Sequence, residues 1–252
     1  MNNFCIIIPT YNNLLLTKEA IDSVRCQSVQ DFNIIITDDS TNDDIRDYVD
    51  SISDQRIRYY ANKTSLGAVR NWNKGLELAD GKYVILLHHD EKMMGEKYLE
   101  ELLSDFRKGY SIIISRVIVQ DTKGVRRRYV NKLTNFFASH PRLLFVCNTI
   151  GPCSAIAFEH EKMKMFDTRL HWLVDVDWYY HLLNGQNIYY DRHIHIISQH
   201  GHADQISMNI DRKAMIKQDC EILNAKYNNL FRYELLAYQL IQYFKEIIKR
   251  LV

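Results

Sequence analysis

FNIIITDDS, residues 32–40, is an apolar, β-branched run that stops abruptly on two aspartates and a serine. Such a run, with no polar alternation, reads as a strand buried on both faces, as in a parallel sheet covered by helices. Two similar runs flank it. FCIII (residues 4–8) precedes Pro9-Thr10-Tyr11-Asn12, and YVILL (residues 83–87) ends on His88-His89-Asp90-Glu91. Helical spacing is found over 17–27, with Ala20, Ile21 and Val24 on one face, and again over 43–52, 68–79 and 97–108. Gly81 reads as the stop signal of the helix over 68–79. Shorter strands are predicted at 57–60 and 111–119. This strict alternation predicts an α/β fold with a doubly wound, mostly parallel sheet.

Beyond about residue 121 the pattern loosens. A short strand is predicted at 155–158, a helix at 175–183 and a strand at 188–197. A terminal helix over 235–251 places Leu236, Leu240, Phe244, Ile247 and Leu251 on one face. The expected organisation is one domain of two halves (1–120 and 121–210) followed by a C-terminal helical segment (211–252).

Composition narrows the function classes. The 252 residues are 46% hydrophobic and 25% charged, as in an ordinary globular chain. Lys and Arg (32) nearly balance Asp and Glu (31), so no global positive field argues for a nucleic-acid partner. The five cysteines are odd in number and lack paired metal-ligand spacing, which points to a reducing compartment. MNNFCIIIPTYNN has no basic n-region, and Pro9 interrupts its apolar run, so no signal peptide is read there. The expected location is the cytoplasm. The apolar face of the last helix reads as a core or homodimer face, and Lys245, Lys249 and Arg250 beside it also suit peripheral contact with the inner face of the membrane.

In open parallel sheets, ligands bind where the carboxyl ends of the strands converge. Asp38-Asp39 and Asp90-Glu91 fall at such ends, and Asp175 and Asp177 open a later helix. Hard carboxylate oxygens gathered there suit magnesium or manganese, which bind diphosphates by bridging their oxygens.

With these motifs in order, the chain resembles the inverting family-2 glycosyltransferases of the GT-A fold. The resemblance rests on Pro9-Thr10-Tyr11-Asn12, Asp38-Asp39-Ser40, Asn62 followed by Leu66-Gly67-Ala68-Val69-Arg70-Asn71, and Ala79-Asp80-Gly81-Lys82-Tyr83. Farther on it rests on His88-His89-Asp90-Glu91, on Val174-Asp175 with Asp177-Trp178, and on His202 with Ser207. It covers roughly residues 1–207, and it implies that 1–120 is the nucleotide-sugar-binding half of the domain and 121–210 the acceptor-binding half.

The resemblance implies a hexose moved from a UDP-sugar to a glycan hydroxyl, the acceptor being a lipid-diphosphate-linked polysaccharide or O-antigen repeat. Pro9, Thr10 and Tyr11 would line the nucleotide pocket with Asp38, and Asp39 would hydrogen-bond the base. Arg70 would hold the nucleotide or its phosphates. Asp90 would coordinate the cation, Mn or Mg, and His202 would reach the metal or the phosphates. Asp175 would be the general base. Residues two apart on a helix face different ways, so one of Asp175 and Asp177 points at the acceptor, and Asp175 is the choice.

One departure stands out. His88 occupies the place of the family's first D-x-D aspartate, where imidazole can meet a ribose hydroxyl or ligate manganese. His89 sits at the variable position beside it, and Glu91 can shift in as compensation. Because of His88, the alternative is a non-catalytic sugar-nucleotide-binding module on the same fold. A dinucleotide dehydrogenase fails because no G-x-G-x-x-G follows the first strand. The run Arg126-Arg127-Arg128 reads either as a solvated face or as a phosphate-contacting patch for the acceptor.

Overall fold

The computed structural model describes residues 2–121, 124–127, 133–201 and 211–251. β1 (Phe4–Thr10), β2 (Phe32–Asp38) and β4 (Tyr83–Leu86) are buried at every position. Helices cover both faces of the sheet, so neither set of alternating side chains meets water. With β3 (Ile57–Ala61) these strands pair in parallel, in the order β3-β2-β1-β4. Ile6, Ile8, Ile34, Ile36 and Ile85 share a core with Ala20, Ile21 and Val24 of α1 (Leu14–Arg25) and with Ile45 of α2 (Asp44–Ile52). The opposite side chains, Cys5, Ile7, Ile35, Val84 and Leu86, pack with Leu76 of α3 (Ala68–Glu77).

Two glycines set the approach of α3 and its exit loop to β1. A Cβ on Gly75 would lie 2.3 Å from Ile7 Cγ2, so this helix rests on the strand at a distance no side chain would permit. Gly81 corrects the sequence reading. The helix ends at Glu77, and Gly81 is no stop signal. A Cβ there would lie 2.4 Å from the backbone nitrogen of Cys5, so the residue serves a close backbone approach.

β5 (Glu91–Met93) and α4 (Tyr98–Arg107) come next. β6 (Ile112–Asp121) carries the short β7 (Gly124–Arg127) antiparallel on part of its length. α5 (Thr134–Ser139) lies in the stretch for which the sequence predicted no element. β8 (Ile156–Glu159) inserts antiparallel between β4 and β6, and β9 (Ile188–Gln199) follows β6 in parallel. β5 then pairs antiparallel with β9 at the far edge, giving β3-β2-β1-β4-β8-β6-β9-β5. α6 (Val174–Leu183) buries Trp178 and Tyr179 beneath this half.

α7 (Arg212–Lys226) and α8 (Arg232–Leu251) follow. α8 turns Leu235 and Tyr238 inward, whereas Leu236, Leu240 and Phe244 are exposed to solvent. Among the described residues, no helix is long and apolar enough to cross a membrane, and the five cysteines are free thiols.

Candidate active site

The carboxyl ends of β1 and β2 meet in register, with Thr10 opposite Asp38. Thr10 Oγ1 donates to Asp38 Oδ1 at 2.8 Å, Ser40 Oγ to the same oxygen at 2.5 Å, and the Tyr59 hydroxyl to Oδ2 at 2.5 Å. Asp38 is thereby buried and tied into the strand ends. Asp39 is held differently. The loop entering α3 folds around its carboxylate, which accepts Leu66 N–H and Asn62 Nδ2 at 2.8 Å, Ser65 Oγ at 2.8 Å and Gly67 N–H at 3.0 Å. Burial pushes this carboxyl up, but the four hydrogen bonds outweigh it and hold the group below the ordinary carboxylate range. Four donors also match the lone-pair capacity of a carboxylate. A nucleobase bond to Asp39 therefore requires one of these donors to move aside.

YVILL delivers the second carboxylate group. Past β4 the chain turns tightly, with Glu91 N–H donating to the His88 carbonyl at 3.0 Å. Both sides of the turn are pinned. His88 N–H donates to Ser154 Oγ at 3.2 Å, and Gln199 N–H to the Asp90 carbonyl at 2.9 Å. Each of His88, Asp90 and Glu91 offers one ligand atom, and the three atoms lie within 4.8 Å of one another. His88 Nδ1 is 3.7 Å from Glu91 Oε2, and Trp72 of α3 stacks on the imidazole at 4.7 Å and 26°. Glu91 is 3% exposed, and neither its Oε2 nor His88 Nε2 has a hydrogen-bond partner. Burial first, then the negative charge of Asp90 and that of Asp175, push the Glu91 carboxyl well above its usual value. A buried carboxylate oxygen without a hydrogen-bond partner, beside an imidazole and a second carboxylate, fits a divalent cation.

α6 places the third group. Asp175 Oδ1 accepts the Cys153 thiol at 3.2 Å, and burial together with this carboxylate pushes that thiol well up. Asp177 points elsewhere, accepting Lys226 Nζ at 2.8 Å and the Tyr227 hydroxyl at 2.6 Å.

Two neighbouring residues of β1 connect the clusters. The Thr10 carbonyl accepts Asp39 N–H at 3.1 Å, and His89 Nδ1 lies 3.3 Å from the Pro9 carbonyl. Tyr11 and Arg70 are exposed, the latter in the first turn of α3. His202, expected at the metal, lies outside the described residues, as do Ser207 and Arg128. Sequence reasoning passed over Trp72 and Cys153 as site residues. Trp72 directly follows the Arg70-Asn71 motif, which was a usable signal; Cys153 had none.

The family model described as Glycosyl transferase family 2 matches residues 5–166, more than half of the chain. The chain belongs to glycosyl transferase family 2. Within the family it is similar to GalNAc(5)-diNAcBac-PP-undecaprenol beta-1,3-glucosyltransferase of Campylobacter jejuni, 28% identical over 135 residues, which are 52% of this chain and 43% of that protein. It is also 28% identical over 135 residues to the Escherichia coli UDP-Glc:alpha-D-GlcNAc-diphosphoundecaprenol beta-1,3-glucosyltransferase WfgD, covering 51% of this chain and 53% of that one. The chain thus spans about half the length of these family-2 relatives. Among solved structures, S. aureus TarS 1–349 in complex with UDP-GlcNAc superposes with a TM-score of 0.71 over 96% of this chain and 73% of TarS, at 17% identity. The mannosyltransferase PcManGT from Pyrobaculum calidifontis, in complex with GDP-Man and Mn2+, gives 0.66 over 94% of this chain and 69% of that one, at 14% identity. The family-2 chain has the GT-A fold that its motifs implied.

Proposed function

We propose that this chain is an inverting glycosyltransferase that moves a hexose from a UDP-sugar to a hydroxyl of a lipid-diphosphate-linked glycan. One observation carries the reading: Cys153 Sγ donates to Asp175 Oδ1 of α6 at 3.2 Å, and the next residue, Ser154, accepts His88 N–H at 3.2 Å, so adjacent residues tie Asp175 to the His88, Asp90 and Glu91 group. This proximity supports a single displacement with Asp175 as base and the His88, Asp90 and Glu91 group as the cation site.

In this reading Asp175 takes the proton of the acceptor hydroxyl as that oxygen attacks the anomeric carbon. The bond from that carbon to the diphosphate breaks on the opposite face, and its electron pair leaves with UDP. An α-linked donor gives a β-linked product, in keeping with the beta-1,3 products in the names of the Campylobacter and Escherichia relatives. His88, Asp90 and Glu91 would hold a divalent cation, Mn or Mg, whose chemistry when bound is to neutralise charge on the diphosphate. Arg70, exposed at the start of α3, is available to the phosphates, and Tyr11 to the nucleotide.

The acceptor assignment leans on the two relatives, both named for diphosphoundecaprenol substrates. Residues 121–210 would shape that acceptor site and 211–252 would support it. The exposed Leu236, Leu240 and Phe244 of α8 favour peripheral contact with the membrane that carries such an acceptor, on its cytoplasmic side.

The deciding experiment is transfer from a panel of UDP- and GDP-sugars to a diphosphoundecaprenol-linked sugar, run with the parent chain and with Asp175→Asn. The reading expects transfer from a UDP-hexose that the substitution abolishes. UDP binding without turnover, unaffected by Asp175→Asn, would instead establish a non-catalytic binding module.

A further inference from the structure

We propose that Asp219 of α7 is a positioning residue for the base: it fixes the entry of α6, and through it the place from which Asp175 meets the acceptor hydroxyl. The inference deepens the proposed reaction and rests on Asp175 being its base.

A helix begins with backbone N–H groups that have no partner inside it, and Ser, Thr, Asp or Asn at the N-cap commonly supplies one. α6 has no such residue there. Its N-cap is Leu173, which offers no side-chain acceptor. The acceptor comes instead from a carboxylate 46 residues farther along the chain. Asp219 Oδ2 accepts Leu173 N–H at 2.8 Å and Trp172 N–H at 2.7 Å, and His171 N–H is shared between both carboxylate oxygens at 3.1 Å. Three consecutive N–H groups thus close on one side chain, the last of them just ahead of Val174-Asp175.

Asp219 is 0% exposed. Taking a carboxylate out of water is costly unless hydrogen bonds replace its hydration. Here the replacements are charge-assisted backbone donors at the positive end of the α6 dipole. The His171 ring, 3.7 Å from Oδ1, is beyond hydrogen-bond distance. What the buried charge holds is backbone, and that backbone carries the base.

The same segment is gripped a second time. Trp172 Nε1 donates to the Tyr238 hydroxyl of α8 at 2.7 Å, and Arg212 of α7 lies over the indole at 4.8 Å. Lys226, about two turns after Asp219 and so on the same face of α7, meets Asp177 at 2.8 Å. α7 therefore touches α6 on both sides of Asp175 in the chain, which restrains the base from sliding or turning.

The test uses the full chain, as the parent and as Asp219→Asn, Asp219→Ala and Tyr238→Phe, each well below its melting temperature. Hydrogen exchange is measured over residues 171–176, and kcat and donor KM with the donor and acceptor pair that the sugar panel identifies. Asp219→Asn exchanges an acceptor oxygen for a donor. It should raise exchange over 171–176 about tenfold or more while residues 32–40 keep their protection. It should also lower kcat about 10–100-fold with donor KM held within about twofold, as for a base displaced by about 1 Å. Asp219→Ala should lose more. Tyr238→Phe removes only the acceptor of Trp172 Nε1; it should move both readings the same way by a smaller factor, and it serves should the Asp219 variants melt early. A merely structural residue would not give the last signature: on the Asp175→Asn background, Asp219→Asn should lower kcat no further. Unchanged exchange over 171–176, an unmoved kcat in the Asp219 and Tyr238 variants, or losses that add on the Asp175→Asn background would overturn the inference. Transfer abolished by Asp175→Asn yet untouched by Asp219→Asn would remove this inference alone. Full transfer by Asp175→Asn, or none by the parent chain, would remove the proposed reaction and the positioning role with it.

Discussion

Asp175 and Asp177 leave the first turn of the same helix and meet opposite chemistry. Asp175 accepts the buried thiol of Cys153 at 3.2 Å, next to Ser154, whose hydroxyl holds His88 N–H. Asp177 is 1% exposed and closed off by Lys226 at 2.8 Å and Tyr227 at 2.6 Å. The sequence reading chose Asp175 as the base, and the two residues' partners favour that choice in the proposed reaction.

Asp175→Asn should lower kcat about 10²–10⁴-fold, because the amide cannot accept the acceptor's proton. Donor affinity and melting temperature should hold, since Asn keeps the shape and can still accept from Cys153. Steady-state kinetics with a saturating acceptor checks this; an unchanged kcat refutes the assignment.

Asp177→Asn should behave in the opposite way. It removes one of the two carboxylates paired with Lys226 and should cost about 2 kcal/mol of stability, with turnover at moderate temperature retained. Lys226 also touches Asp167 at 3.0 Å, which limits the loss. Urea denaturation beside kcat measures both sides of the contrast.

Asp39 gives the fold a pH dependence of known sign. Its carboxyl is depressed in the folded state, so it contributes stability above the ordinary carboxylate range and loses that contribution as pH falls through its folded value. Asp39→Asn should lower stability at neutral pH and flatten the acid limb of the curve. Urea midpoints across the acid range, compared between the two chains, test this.

Gly75→Ala should destabilise by about 1–3 kcal/mol, because the new methyl meets Ile7 Cγ2 and lifts α3 from β1. Asn71 and Trp72 ride on that helix, so the affinity for UDP-sugar should fall as well. Calorimetric binding alongside thermal melting distinguishes this from a purely structural loss, in which affinity would be kept.

Leu240→Glu combined with Phe244→Glu should abolish co-sedimentation with vesicles containing anionic lipid while leaving the melting temperature in place, since both side chains are already in solvent. Sedimentation that survives the pair places the membrane contact elsewhere.

The parts legible in the sequence were those written locally. Continuous apolar runs announced β1, β2 and β4, and Asp38-Asp39 at the end of β2 and Asp90-Glu91 a few residues past β4 marked two of the strand ends. The three-residue β5 was illegible because Glu91-Lys92-Met93 is too short to show a period, and its partner β9 is distant in sequence. Asp90 could be singled out, but the convergence of His88 and Glu91 on it depends on a turn pinned from Ser154 and Gln199. Cys153 met Asp175 only through the packing of α6. Gly81 was misread because a glycine near a helix end resembles a cap, whereas the reason for it lies across the sheet at Cys5.

The pairing of β5 with β9 governs when the centre can come into being. Glu91 opposite Ser198 and Met93 opposite Ile196 join segments separated by roughly a hundred positions, a closure that is slow to find. A nascent polypeptide emerges amino end first, so β1 to β4 can assemble on the ribosome long before their far partner is translated. Until β9 arrives, the hydrogen bond from Gln199 to the Asp90 carbonyl cannot form, and the growing chain has no finished place for the proposed cation.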